Sequence, residues 1–216
     1  MIKRQLLGSG DIFAENDILK LKLMEPKYKA DFVRTMEPIT WTQNKEVIEA
    51  INEETWNDLN SERNITFAIL DSRNEAYMGY CQYKNIITQK PDIGIELLPE
   101  YRSKGVGYGA CSLLLDKWFS ETDAEAMYYK VKRKNTISIA LVGKLGGKID
   151  CVDRALESYV RTYINVSQLG KEKAEQNAAS YIEWLLDKEP ELAADEHEED
   201  VLIYKIARED RNKEYN

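Results

Sequence analysis

The chain has 216 residues, 43% hydrophobic and 31% charged, enough to bury a core without disulfides or a structural metal. Its 30 Lys and Arg against 38 Asp and Glu give a formal net charge of -8, and the seven acidic residues between Glu189 and Asp200 supply most of it. This balance excludes a nucleic-acid footprint, and the lack of any apolar run near the roughly 18 residues of a membrane span excludes an integral helical membrane protein.

Residues 1–13 carry Lys3 and Arg4 with no apolar stretch behind them. No signal peptide is therefore expected, and the cytoplasm is the expected compartment. A half-buried strand follows at residues 18–24 (ILKLKLM), where apolar and polar residues alternate. Residues 28–36 and 45–60 read as helices; in the second, Ile48, Ile51, Thr55 and Leu59 recur near the helical period. Three strands come next, at 65–70 (ITFAIL), 77–83 (YMGYCQY) and 92–98 (DIGIELL), the first two joined by a turn holding Asp71, Ser72, Arg73 and Asn74. A helix over 106–120, a strand over 127–131 and a helix over 136–145 stopped by Gly146 and Gly147 complete the alternating part. Beyond it, residues 153–169 read as a helix capped by Asp153 and ended by Gly170, and 171–188 as a second helix broken before Pro190. The acidic run follows, expected as a flexible solvated segment. The last strand is 201–206 (VLIYKI), and the polar tail 208–216 is expected to be loose. The whole reads as one domain over residues 1–216, with 153–200 inserted before the last strand.

Several chemistries drop out early. The only histidine, His197, lies in the acidic run and reads as a surface residue, so neither a Ser-His-Asp triad nor a His-rich metal site can be built. Cys81, Cys111 and Cys151 stand far apart with no C-x-x-C pair, which argues against a zinc ribbon and a disulfide frame. No metal site is expected. Lys130, Lys132, Arg133 and Lys134 form a small basic patch that reads as solvated strand and turn.

The chemistry lies between Ile93 and Lys148. The strand Ile93-Gly94-Ile95-Glu96-Leu97 runs into Pro99-Glu100-Tyr101, then Arg102-Ser103-Lys104-Gly105-Val106-Gly107-Tyr108-Gly109, which opens a helix. Glycines here let main-chain amides face outward, and the helix start adds unpaired amides and a positive dipole end. Together they suit a pyrophosphate. The P-loop pattern is absent. G-x-G-x-x-A is matched by Gly105, Gly107 and Ala110, but four strands precede it and the next strand ends in Lys and Arg, unlike a dinucleotide fold.

R-x-x-G-x-G is matched by Arg102, Gly105 and Gly107, and Asn135-Thr136-Ile137-Ser138 is followed by Lys144-Leu145-Gly146. With the order of elements around them, these segments resemble the GNAT superfamily of N-acetyltransferases, in particular the ribosomal-protein type. The resemblance implies an α/β (α+β) fold: a mixed, mostly antiparallel sheet of about six to seven strands flanked by helices, with a helical hairpin inserted before the last strand. It implies acetyl-coenzyme A as acyl donor. The backbone amides of Arg102, Ser103, Lys104, Gly105, Val106, Gly107 and Tyr108 would then cradle its pyrophosphate. Free backbone groups at Leu97 and Leu98 would pair with the pantetheine arm, as in strand addition. Asn135 would hydrogen-bond that arm; alternatively it is a plain N-cap of the helix at Thr136.

Acyl transfer to an amine needs an oxyanion donor, which an amide near Leu97 can supply, and a base. Glu96 is the base candidate: it shares a strand face with Gly94, which leaves room, and Leu98. Its alternative is a Glu paired on a solvated sheet face. Many family members place a tyrosine acid where this chain has Val142, and an aromatic where it has Gly147. Of the tyrosines on relevant elements, Tyr83, Tyr108 and Tyr129, none is singled out by the sequence. Trp41, Trp56 and Trp184 are candidates for a groove that takes a small-molecule or peptide amine. The acidic run is a candidate attractor of cationic acceptors. Leu156, Tyr159, Val160 and Tyr163 must bury against the same domain or a second copy. Three readings stay open here: an amine N-acetyltransferase, a non-catalytic acyl-coenzyme A binding module, and an NADP-dependent oxidoreductase.

Overall fold

The described residues form eight strands where about six to seven were expected. A computed structural model describes residues 10–37, 42–167 and 170–211. The strands are β1 (Ile12–Glu15), β2 (Leu19–Leu23), β3 (Ile65–Asp71), β4 (Tyr77–Lys84), β5 (Asp92–Leu97), β6 (Ala126–Lys132), β7 (Lys148–Asp153) and β8 (Val201–Ala207). They form one sheet in the order β1-β2-β3-β4-β5-β6-β8-β7. All neighbours are antiparallel except β5 and β6. One parallel pair in an antiparallel sheet is not a doubly wound dinucleotide fold, which removes the oxidoreductase reading. The two strands absent from the sequence reading, β1 and β7, are the sheet's edges; β7 is exposed along almost its whole length and carries no apolar alternation.

Helices cover the two faces unequally. On one face α3 (Val106–Glu121) and α4 (Thr136–Lys144) bury Leu114, Leu115 and Val142 against Phe67, Ile93 and Met127. On the other, α1 (Lys29–Met36) and α2 (Lys45–Leu59) place Phe32 and Trp56 against Ala68, Leu70 and Tyr80. Trp56 is thus core, its ring tilted against Phe32 at 5.4 Å. Trp41 lies outside the described residues, as do residues 1–9 and 212–216.

The insert folds on itself. α5 (Ala155–Val166), α6 (Lys171–Gln176) and α7 (Ala178–Lys188) follow β7, with a break at Asn177 where one helix was expected. Leu156 and Tyr159 pack on Ala155, Leu185 and Leu192, and Tyr163 stacks on Tyr181 at 4.1 Å, so these residues of the stripe are half-buried against the same chain. Trp184 continues the stack but is 55% exposed.

The acidic run is not a solvated segment throughout. Asp153 is the last residue of β7, and the cap of α5 comes from Asp200, whose Oδ1 accepts the Ala155 amide at 2.9 Å. Asp200 is fully buried, accepts the His197 amide as well, and faces Arg133 and Arg154. Glu199 pairs with both Lys132 and Lys134. His197 is half-buried, its Nδ1 accepting the Glu199 amide at 3.2 Å. The start of the tail is held too: residues 208–211 form a helical turn, α8 (Arg208–Arg211), and the Arg208 guanidinium donates to the carbonyls of Phe119, Thr122 and Ala124.

Candidate active site

The site is a consequence of how β5 is paired. Its antiparallel register with β4 runs to Leu97 opposite Gly79, but its parallel pairing with β6 stops after Asp92–Tyr128 and Ile93–Tyr129. Beyond those pairs the strands part, leaving a cleft of about 320 Å³ between them. Gly79 makes the upper pairing possible: its φ is +152°, and a Cβ there would lie 2.3 Å from the Glu96 carbonyl oxygen. On the side of α3 and α4 the cleft is lined by Tyr129, Asn135 and Ser138; on the side of α1 and α2, by Tyr80, Gln82, Lys84 and Glu96.

At the top of β5 the chain turns through a 3₁₀ turn, Pro99–Tyr101, into the start of α3. Ser103 (φ +58°) and Gly105 (φ +83°) take left-handed conformations that redirect the backbone. Gly105 is the N-cap residue and has no side chain to cap the helix. The first amide to find a helical partner is that of Gly109, on Gly105 O. Among the described residues the amides of Val106, Gly107 and Tyr108 have no acceptor, and they sit at the positive end of a 16-residue helix. Such an end fits a diphosphate.

Two parts of the expected cradle are otherwise engaged. The Arg102 amide donates to Pro99 O, because the 3₁₀ turn closes on it, so the free amides begin after Arg102. Leu98 is also spent: its amide donates to Met78 O and its carbonyl accepts from Tyr101, which corrects the expectation of free groups there. At Leu97 the carbonyl accepts Arg102 Nε at 3.0 Å, while the amide lies against the Glu96 carboxylate.

Arg102 therefore acts through its side chain. Besides Leu97 O, its guanidinium donates to Glu96 Oε1 at 2.9 Å. Burial pushes the Glu96 carboxyl above the usual carboxylate range; the Arg102 charge and the Leu97 amide pull against that shift without cancelling it. A carboxylate in a cleft with a raised affinity for protons is suited to take one from an amine. Tyr80 stands opposite Glu96 in the β4–β5 register, its ring against Phe32.

The other sequence candidates separate. Asn135 caps α4, its Oδ1 accepting the Ser138 amide at 3.1 Å, and it also lines the cleft, so the two roles are compatible. Of the three tyrosines named from the sequence, Tyr83 is core and donates to Leu114 O, Tyr108 is 38% exposed, and Tyr129 lines the cleft, as Tyr80 does from the other side. Burial holds the Tyr129 hydroxyl well above its ordinary pKa, next to Ser138. Val142 is fully buried, and a Cβ at residue 147 would lie 2.6 Å from it, so Val142 and Gly147 form one packed unit. The sequence reading singled out neither Lys84 nor Asp92 and took Lys130 as part of a solvated basic patch; both ammoniums lie 3.2 Å from the fully buried Asp92 carboxylate. They are 46 residues apart, so only the three-strand register brings them together.

A family model described as an acetyltransferase (GNAT) domain matches residues 16–148. No curated protein matches the sequence. Among solved structures the chain is similar to an acetyltransferase of the GNAT family from Bacillus anthracis, at 16% identity and TM-score 0.59 over 92% of this chain and 98% of that one. It is similar to a spermidine/spermine N-acetyltransferase from Vibrio cholerae, at 14% identity and TM-score 0.58 over 94% and 100%. A structure described as a ribosomal-protein-serine acetyltransferase, also from Vibrio cholerae, aligns at 14% identity and TM-score 0.55 over 68% and 88%. At these identities the structures speak for the fold.

Proposed function

The chain belongs to the GNAT acetyltransferases, and from that premise we propose that it moves an acetyl group from acetyl-coenzyme A to a primary amine of a small molecule or peptide. The observation that carries the donor assignment is the uncapped start of α3, whose free amides at Val106, Gly107 and Tyr108 adjoin a cleft opening between β5 and β6. Those amides would hold the diphosphate, with Ser103 and Lys104 at the loop's edge. Asn135 and the Leu97 strand end would flank the arm that leads inward. Acetyl-coenzyme A supplies, when bound, an activated thioester carbonyl.

The residues of the chain supply the rest. Glu96 accepts a proton from the incoming amine as its nitrogen bonds to the carbonyl carbon. As the carbon–sulfur bond breaks, the thiolate needs a proton; the Tyr129 hydroxyl, kept protonated by burial, stands in the cleft to give one. Arg102 orients Glu96 and limits its rise in pKa.

The test is thiol release from acetyl-coenzyme A by the full chain, measured over a panel of primary amines. Amine-dependent release above the rate of hydrolysis is expected. Binding of coenzyme A with no release for any amine would leave the non-catalytic module instead. The compartment expected from the sequence remains the cytoplasm; among the described residues no helix is long and apolar enough to cross a membrane.

A further inference from the structure

The acceptor half of the cleft has a charge pattern that the sequence hides. Tyr80, Gln82 and Lys84 on β4 face the same way as Glu96, Gly94 and Asp92 on β5, by their register. The parallel pair Asp92–Tyr128 brings Lys130 of β6 onto that face as well. This is the face of α1 and α2, opposite the one on which α3 packs. The free amides for the diphosphate belong to α3. Lys84 and Lys130 therefore stand across the sheet from the diphosphate end.

Both ammoniums share one buried carboxylate, Asp92, at 3.2 Å each, and Asn85 donates to the same carboxylate at 2.7 Å. Two cations on one anion leave a surplus positive charge at the cleft floor. The same face adds Lys205, which has no ion-pair partner among the described residues, and Lys90, paired with Asp150. At the rim Lys132 and Lys134 share Glu199, with Glu198 in the field of Lys134. Among the described residues the only carboxylate lining the cleft is Glu96, and Arg102 already pairs with it. A polycation would meet no free anion here. The acidic run expected to attract cationic acceptors spends Glu196, Glu199 and Asp200 on Arg133, Lys132, Lys134 and Arg154.

We infer that the acceptor is an amine that also bears an anionic group, a carboxylate or a phosphate, with the amine at Glu96 and the anion on Lys84 and Lys130. This rests on the transferase reading of the cleft. Gly94 lies between the Glu96 and Asp92 levels, and the space a Cβ would take there on that face is bordered by the Gln82 and Lys84 side chains, at 3.3 Å and 3.4 Å.

The test compares acceptors that differ only in the anion. The full chain is assayed for thiol release with 6-aminohexanoate against hexylamine, and with 2-aminoethyl phosphate against ethanolamine. We expect the anionic member of each pair to have a kcat/KM at least about tenfold higher, and Lys130→Gln, which leaves Lys84 on Asp92, to bring that ratio toward one with the KM for acetyl-coenzyme A unchanged. Equal or higher kcat/KM for the partners without the anionic group overturns the inference. So does a Lys130→Gln variant with a raised KM for acetyl-coenzyme A and an intact ratio, since the lysines then serve the donor's phosphates. If Lys130→Gln fails to fold, the ratio for the unaltered chain still decides. If no amine is turned over, the transferase reading falls separately, and calorimetry with coenzyme A present decides this one. N-acetyl-6-aminohexanoate must then bind at least about tenfold tighter than N-hexylacetamide, and equal affinities overturn it.

Discussion

At Glu96 two opposed effects meet: the cleft disfavours the ionised carboxylate, and Arg102 favours it. Burial is the larger, so the group titrates above the usual carboxylate value and is an active base only on the alkaline side of that raised pKa. The rate should therefore fall as pH drops, at a pH higher than an exposed glutamate would give. Glu96→Gln should lower kcat by about 10²–10⁴-fold, leave the KM for acetyl-coenzyme A in place and erase the acidic limb of the pH profile; an unchanged limb assigns the base elsewhere. Arg102→Gln removes the charge that pulls the Glu96 pKa down, so the acidic limb should move to higher pH. A purely structural Arg102 would change stability without moving that limb. Glu96 itself was legible in the sequence, as a carboxylate beside a glycine on a strand. Its partner was not: R-x-x-G-x-G pointed to the Arg102 main chain, while the 3₁₀ turn at Pro99–Tyr101 returns the side chain to the end of β5.

Among the elements, Gly79 and Asp200 carry the most specific consequences. A methyl at Gly79 meets backbone at 2.3 Å and 2.8 Å, atoms that no rotamer change can move away. Gly79→Ala should cost about 1–3 kcal/mol or more in denaturant unfolding, and loosen the Glu96–Leu97 end of β5; an equally stable variant would mean that the β4–β5 register is other than described. Asp200 joins β8 to the insert. Burial alone would raise its pKa, but the Ala155 and His197 amides with Arg154 and Arg133 outweigh that and hold it below the ordinary value. A carboxyl depressed on folding stabilises above its unfolded pKa and loses that contribution as pH falls through the folded one. Asp200→Asn should lower stability at neutral pH by about 1–3 kcal/mol, with the difference from the unaltered chain shrinking below about pH 4. Thermal melts across that range measure it, and a difference independent of pH would contradict the assignment. The sequence placed six strands and the principal helices: β2, β6 and β8 alternate, β3 and β4 are apolar runs buried on both faces, and the helices show their period. It missed β1 and β7, which bury little, and misassigned the α5 cap, which comes from 45 residues away.

On the scale of the whole molecule, the fold separates two kinds of charge recognition. One face of the sheet ends at the amides of α3, which need no side chain to hold an anion. The other holds the lysine pair on Asp92, beside the base. The cleft between β5 and β6 joins them, and it exists because β6 follows β8 while β5 follows β4. The glycine spacing pointed to the free amides proposed for the donor; the lysine pair proposed for the acceptor could not be read there, since it depends on the register of three strands. Calorimetric titration of the full chain with coenzyme A tests the central claim most directly. The account predicts a saturable heat for one site per chain, reduced by competing inorganic pyrophosphate. A trace without heat, or saturation that pyrophosphate leaves untouched, would contradict it.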